Sequence, residues 1–195
     1  MTLTLHLIRH ASYGMLGRGL AGRASGYSLS EQGRAEAEAL AASLASCPID
    51  VIVSSPLERA RETAEPLARR LGIPVRIDPA FTEIDFGVWT GKSFDALRGD
   101  AEWRRWNVFR SMAAIPGGET MHAVQARGLA AVQALSEGEV AIVTHSDVIK
   151  ALLTHFLGMP LDLFPRIEIA PASRSQVRLF QDNVRVDAIN LPLAP

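Results

Sequence analysis

The chain has 195 residues, 48% of them apolar and 21% charged, with a formal charge of −1. This is the composition of a globular protein with a sizeable core, not of a disordered or fibrous chain. It carries no strong field for nucleic acid or an anionic membrane, so any anion it binds must be held by a few local cations. The single cysteine, Cys47, excludes an intrachain disulfide and a zinc site built of thiolates. The opening MTLTLHLIRHAS has no basic region before its short apolar stretch, and no apolar run reaches the ~18 residues of a membrane span. A soluble cytoplasmic protein is the expectation, with neither nucleic acid nor membrane as a partner.

Leu3 to Ile8 is short, apolar and β-prone, which predicts a buried strand, with Thr4 and His6 facing a covering helix. Ser12 to Ser28 holds five glycines and little periodicity and reads as a long loop, a kind of segment that is often functional. Ser28 and Ser30 offer caps for an alanine-rich helix to about Ser46, closed by Pro48. Val51 to Val53 is a second buried strand. In the next helix Ser55 is the expected N-cap, Pro56 the first helical residue and Glu58 the partner in a capping box. Gly72 and Pro74 end it. Val75 to Ile77 is a third strand, and Pro79 to Gly91 a loop rich in aromatic and acidic residues. Ser93 to Ser111 is expected to be helical, with a break at Pro116-Gly117-Gly118. A helix from Glu119 to Leu135, a strand from Val140 to Val143 and a helix from Asp147 to Leu157 follow. Beyond Pro160 the period becomes two, and Asp182-Asn183 between Ser175–Phe180 and Val184–Ile189 signals a hairpin.

Strands that are continuous apolar runs, alternating with helices, predict one α/β domain over residues 1–195. Its parallel sheet is covered on both faces and extended by an antiparallel addition. Ligands of such sheets bind beyond the carboxyl ends of the strands. Arg9-His10 ends the first strand, Ser54-Ser55 the second with Arg59 one turn on, and Thr144-His145 the fourth. Glu83 lies in the loop after the third. Two histidines, two arginines and a carboxylate can therefore meet at one edge. Arginine forks suit phosphate oxygens, and a helix N-terminus beside Arg59 adds N–H donors. A neutral imidazole can attack phosphorus, the other cations can stabilise the equatorial oxygens, and a carboxylic acid can protonate the departing oxygen. Taken singly, each residue has an ordinary structural reading: a strand edge, a helix cation, a bonded core histidine, a surface charge.

The segments LIRHAS, SSPLERARETA, FTEIDFGVWTG, PGGET and VTHSDVIKALL, in that order from Leu7 to Leu153, resemble the histidine phosphatase superfamily, also called phosphoglycerate-mutase-like. The resemblance implies a three-layer α/β sandwich with a mostly parallel central sheet. It implies that His10 becomes phosphorylated, that Arg9, Arg59 and His145 bind the phosphoryl group, and that Glu83 is the acid and base. It implies no metal and no cofactor. Ser25-Gly26-Tyr27 resembles a substrate-binding stretch of the mutases, which makes Ser25 and Gly26 candidate substrate contacts. The chain departs from the family pattern at Ala11 and Ser12 after His10, at Leu16 where mutases carry asparagine, and at Ser146 where glycine is usual.

The expected activity is metal-independent hydrolysis of a small phosphate monoester through phospho-His10. The alternatives are a phosphoglycerate mutase-type phosphotransferase and a non-catalytic phospholigand-binding module. A mutase is disfavoured by the short chain and the altered first loop, and a binding module by the presence of Glu83. A homodimer is compatible with the sequence. Trp103, Arg104, Arg105, Trp106 and Arg110 are candidates to cover the pocket, although Trp103 and Trp106, three apart, read more simply as the buried face of a helix.

Overall fold

The sheet explains why the scattered candidates can meet. The computed structural model describes residues 2–136 and 138–192. In chain order the elements are β1 (Leu3–Arg9), α1 (Glu31–Ser43), β2 (Val51–Ser54), α2 (Glu58–Leu71), β3 (Val75–Ile77), α3 (Phe94–Leu97), α4 (Ala101–Val108), α5 (Met121–Gln133), β4 (Gly138–Thr144), α6 (Ser146–Phe156), β5 (Arg174–Leu179) and β6 (Val184–Leu191). The six strands lie in the order β3-β2-β4-β1-β5-β6. The first four are mutually parallel and β5 and β6 run antiparallel to their neighbours.

Both faces of the central strands are covered, which is why β2 and β4 carry continuous apolar runs rather than alternating ones. Leu5, Leu7, Val53, Val140 and Ile142 pack against Val124 of α5 and Val148 and Leu152 of α6. On the other face Ile8, Ile52, Ala141 and Val143 meet Leu40, Ala41 and Leu44 of α1 and Ala60, Ala64 and Leu67 of α2. Each fully buried Leu or Ile contributes about 1.5–3 kcal/mol. This is the expected α/β architecture of three layers. Two polar residues of β1, Thr4 and His6, are buried as well, and His6 is bonded through Nε2 to Glu139 at 2.5 Å.

Register carries the site. Arg9 is paired with Thr144, and the His10 N–H donates to the Thr144 carbonyl at 2.9 Å. The residues that follow the two central strands, His10 and His145, are thereby neighbours. The start of β5 locks the other side, because the Arg9 N–H donates to the Ser173 carbonyl and the Ala172 N–H to the His10 carbonyl.

Two local expectations are corrected. Helix α2 does not begin in a Ser55–Glu58 capping box: its first residue is Glu58, and Leu57 precedes it with no side-chain cap. Ser55 Oγ is engaged by His145 at 2.8 Å and accepts from the Leu57 N–H at 3.3 Å, while the Glu58 carboxylate accepts from the Gly26 N–H. The capping groups are used to join loops to the helix instead. The stretch Ser93–Ser111 is two short helices, α3 and α4, separated at Gly99-Asp100, with Asp100 capping α4 by accepting from the Trp103 N–H. Gly72 ends α2 in the left-handed region, and the hairpin of β5 and β6 turns through Asp182-Asn183, both as expected.

Gly33 in α1 lies against the main chain just after the nucleophile candidate. A Cβ at this position would stand 1.9 Å from the Ser12 carbonyl oxygen. Helix interiors ordinarily gain about 0.5–1 kcal/mol from Gly→Ala. Gly33→Ala should do the reverse, costing more than about 1 kcal/mol because backbone must move. A thermal or urea melt decides the sign, and a gain in stability would contradict the close approach.

Candidate active site

The strand ends deliver a buried pair of imidazoles. The His10 Nδ1 lies 2.8 Å from the Ala11 carbonyl, to which it donates, so Nε2 carries the free lone pair. The Ala11 N–H in turn donates to Thr63 Oγ1 at 2.9 Å, and the Thr63 hydroxyl donates to the Arg59 carbonyl at 2.7 Å. A short chain of hydrogen bonds thus ties the His10 turn to the first turns of α2. Ser12 is held through its N–H and hydroxyl by the Glu36 carboxylate.

His145 occupies the N-cap position of α6 in an extended conformation. Its ring centroid is 5.1 Å from that of His10. His145 Nε2 pairs with Ser55 Oγ, which also accepts from the Leu57 N–H, and the second ring nitrogen is Nδ1. That nitrogen is buried without a partner and stands 3.9 Å from Glu83 Oε2.

Arg59 is 2% exposed, donates through Nη2 to the Gly22 carbonyl at 2.8 Å, and lies over the Tyr13 ring. Arg9 donates to the Ile169 carbonyl at 2.6 Å. Glu83 is held mainly by its backbone. Arg23 Nε and Arg127 Nη2 both donate to its carbonyl, and Glu119 bridges those two arginines at 2.7 and 2.9 Å. Thr144 at the end of β4 donates to the Phe81 carbonyl at 2.6 Å, fixing the same loop. Among the described residues the carboxylate itself accepts only the Ile84 N–H, on Oε1.

Arg9, Tyr13, Arg59, Glu83, Ser146 and Asp147 line a cavity of about 270 Å³ together with Phe94, Trp103, Trp106 and Arg110. Among the described residues, every buried side-chain nitrogen or oxygen without a hydrogen-bond partner belongs to Arg9, Arg59, Trp106, Arg110 or His145. Buried polar groups are ordinarily satisfied. Here the unsatisfied ones gather at one place, and those of the arginines and of Trp106 are all donors.

Burial and the adjacent Arg59 and Arg9 charges hold the His10 imidazole well below its ordinary pKa, against the pull of the Ala11 carbonyl. His145 is likewise lowered by burial, by His10 and by the arginines. Both rings are therefore neutral at physiological pH. Glu83 is pushed up to about 7, first by burial and then by the Asp147 charge, with Arg59 opposing. The arrangement offers a neutral nucleophile, cationic donors for an anion and a carboxylic acid that titrates near neutrality.

Arg9, His10, Arg59, Glu83 and His145, five candidates drawn from four separate segments, are thus brought together. Ser25 and Gly26 are not: both are exposed and off the cavity wall, where Ala21 and Gly22 of the same loop stand instead. Leu16 and Ser146 line the cavity. Arg104 and Arg105 are exposed, whereas Trp103, Trp106 and Arg110 line the wall. Trp106 combines both readings of that segment, since it is 1% exposed and still a wall residue. Ser55, Thr63, Tyr13, Asp147 and the Arg23–Glu119–Arg127 cluster were not legible as site residues. Ser55 read as a cap, Glu119 was visible within PGGET, and Arg127 carries no local signal at all. No group of three or more His, Cys, Asp or Glu among the described residues is arranged to hold a metal.

The family model for the histidine phosphatase superfamily (branch 1) matches residues 5–192. The chain is 36% identical over 140 residues to a bifunctional protein of Mycobacterium tuberculosis, covering 69% of this chain and 38% of that protein. It is 36% identical over 156 residues to a glucosyl-3-phosphoglycerate phosphatase of Mycolicibacterium vanbaalenii, covering 70% of this chain and 66% of that one. The chain therefore spans under two thirds of both relatives. Among solved structures, a mycobacterial glucosyl-3-phosphoglycerate phosphatase in complex with VO3 superposes with a TM-score of 0.86 at 32% identity, over 96% of this chain and 98% of that one. With its strand-end histidines, its buried arginines and a match from Leu5 to Pro192, the chain belongs to the histidine phosphatase superfamily.

Proposed function

We propose that the protein is a metal-independent phosphomonoesterase that works through a phosphohistidine on His10. The observation that carries this reading is the buried His10 ring, bonded at Nδ1 to Ala11, kept neutral, and surrounded by cationic donors that lack partners. The names of two of the relatives, both phosphatases, support it.

In the first step the His10 Nε2 lone pair forms the N–P bond while the P–O bond to the alcohol breaks, and protonated Glu83 delivers its proton to that oxygen. Positive charge that grows on the ring is offset at Nδ1–H by the Ala11 carbonyl. The free N–H groups of Arg9, Arg59 and His145 bind the equatorial oxygens, where charge spreads in the transition state. In the second step ionised Glu83 takes a proton from water, the water oxygen bonds to phosphorus, and the P–N bond breaks to return neutral His10. Water rather than a second substrate is the acceptor in this scheme.

His10→Ala should abolish phosphate release from a panel of monoesters while chelator leaves the wild-type rate unchanged; a His10→Ala protein of full activity would refute the scheme. Because Glu83 must be protonated for the first step, kcat/KM should fall as pH rises through about 7. Glu83→Gln should cost about 10²–10⁴ in kcat for esters of poor leaving groups. The same substitution has a stability signature. The raised carboxyl pKa means that the folded protein holds a proton which the unfolded chain has released, so wild-type stability falls with rising pH between the ordinary glutamate value and about 7. Glu83→Gln should therefore stabilise the fold by about 2 kcal/mol more at pH 8 than at pH 5, read from denaturant melts at the two pH values.

A further inference from the structure

The long loop after His10 reaches the site through two consecutive residues. Gly22 lines the cavity, and its carbonyl accepts from Arg59 Nη2 at 2.8 Å. Its φ of +53° lies in the left-handed region, and a Cβ there would meet Thr90 Oγ1 at 3.2 Å and Phe86 Cδ2 at 3.3 Å, so the turn is built for glycine. The next residue, Arg23, does not line the cavity. Its side chain runs back to the Glu83 loop instead, where Nε donates to the Glu83 carbonyl at 2.8 Å and Nη2 to Glu119 Oε2 at 2.7 Å. One turn of the loop therefore holds Arg59 by its main chain and Glu83 by a side chain.

The carboxylate to which Arg23 is fixed is itself fully engaged. Glu119 also accepts from Arg127 Nε at 2.9 Å, from Arg127 Nη2 at 3.1 Å and from the Asp85 N–H at 3.3 Å, while its own N–H donates to the Asp85 carbonyl at 2.9 Å. Arg127 Nη2 shares the Glu83 carbonyl with Arg23, at 3.3 Å. Arg23 makes the shorter of these two bonds and is the more exposed of the two arginines, its side chain 37% exposed against 19% for Arg127.

Magnitudes separate the structural weight of Arg23 from its weight at the site. An ion pair at that exposure contributes little to stability. Placement of a reacting group matters more, since a shift of about 1 Å can cost about 10²-fold in rate. Among the described residues the Glu83 carboxylate has one hydrogen bond of its own, from the Ile84 N–H, so its place is set by the main chain beneath it. Arg23 grips that main chain.

We propose that Arg23 is a positioning residue for Glu83: braced on Glu119, it fixes the acid and base relative to the phosphoryl group held by Arg59. This deepens the phosphatase reading above and rests on it for the reaction, but the grip itself can be read without turnover.

The principal variant is Arg23→Met, which keeps the length of the side chain and removes every donor. Amide exchange followed by NMR reads the grip alone: the Ile84 N–H should exchange at least about tenfold faster, with the amides of β1 and β4 unchanged. Activity is then measured as kcat/KM, which covers phosphorylation of His10, over monoesters graded from alkyl to 4-nitrophenyl phosphate. Alkyl esters need a proton on the departing oxygen and should lose about 10²-fold, whereas 4-nitrophenyl phosphate, whose oxygen can leave as an anion, should lose under about threefold. Arg23→Lys, with one point charge in place of the fork, should recover part of the alkyl rate. In a Glu83→Gln background Arg23→Met should cost the alkyl esters under about threefold more, because no acid remains to be placed. Glu119→Gln takes away the charge that braces Arg23 and should give the same dependence on the leaving group; it serves if Arg23→Met fails to fold. A uniform loss across the esters, an equal loss with and without Glu83, or unchanged exchange at Ile84 overturns the proposal. A fully active His10→Ala protein is a different result: it overturns the phosphatase reading, and the Ile84 exchange still decides whether Arg23 holds the loop.

Discussion

Arg9 opposite Thr144 is the pairing on which the site depends. It sits at the carboxyl ends of the two central strands, β1 and β4, and everything downstream inherits its register. A slip by one residue would turn every side chain of β1 to the other face of the sheet, exposing the Leu5 and Leu7 positions to the α1 and α2 layer and carrying His10 away from His145. The core therefore enforces the site. The same alternation that sends Leu5 and Leu7 toward α5 and α6 and Ile8 toward α1 and α2 leaves one register that buries all of them. Antiparallel β5 adds a second lock, because it holds the main chain of Arg9 and His10 although it supplies none of the candidate catalytic side chains.

On this frame the protein accumulates uncompensated positive charge. Arg9, Arg59 and Arg110 carry buried nitrogens without partners, and each such group costs roughly 1–3 kcal/mol or more for a charge. A fold of ordinary stability can carry only a few such costs, and they are confined to one cavity. The opposing acid is Glu83, whose proton is retained by burial and by Asp147. Neutral imidazoles, cationic arginines and a carboxyl that titrates near neutrality are thereby kept together, whereas in water that carboxyl would already be ionised.

Much of the frame was readable from periodicity and punctuation. The four parallel strands, the Gly72 stop and the Asp182-Asn183 turn each follow from local chemistry, and they appear where that chemistry puts them. The five central site residues could be nominated because strand ends are where α/β sheets bind ligands, and the ordered motifs made the nomination specific. The failures are as physical. Ser55, Pro56 and Glu58 have the composition of a capping box, but tertiary partners compete for the same oxygens: His145 takes Ser55 and Gly26 takes Glu58. Ser25 and Gly26 were nominated by resemblance and lie outside the cavity wall, whereas Tyr13 and Gly22 reach it. Arg127 is one arginine on an amphipathic helix, and nothing nearby in sequence reveals that it grips a loop more than forty residues earlier.

That grip has a consequence for motion. Arg23 and Arg127 hold Glu83 by its carbonyl, and Glu119 braces both arginines, while the carboxylate itself is tethered by a single neighbouring N–H. Anchor and reacting group are thus separate atoms of one residue. In the proposed reaction the alcohol oxygen leaves, and the water later arrives, opposite His10 Nε2, so one placement of the tip serves both while the stem stays still. Under the proposed reaction Glu83 turns from proton donor to proton acceptor with no loop opening or helix shift between its two tasks.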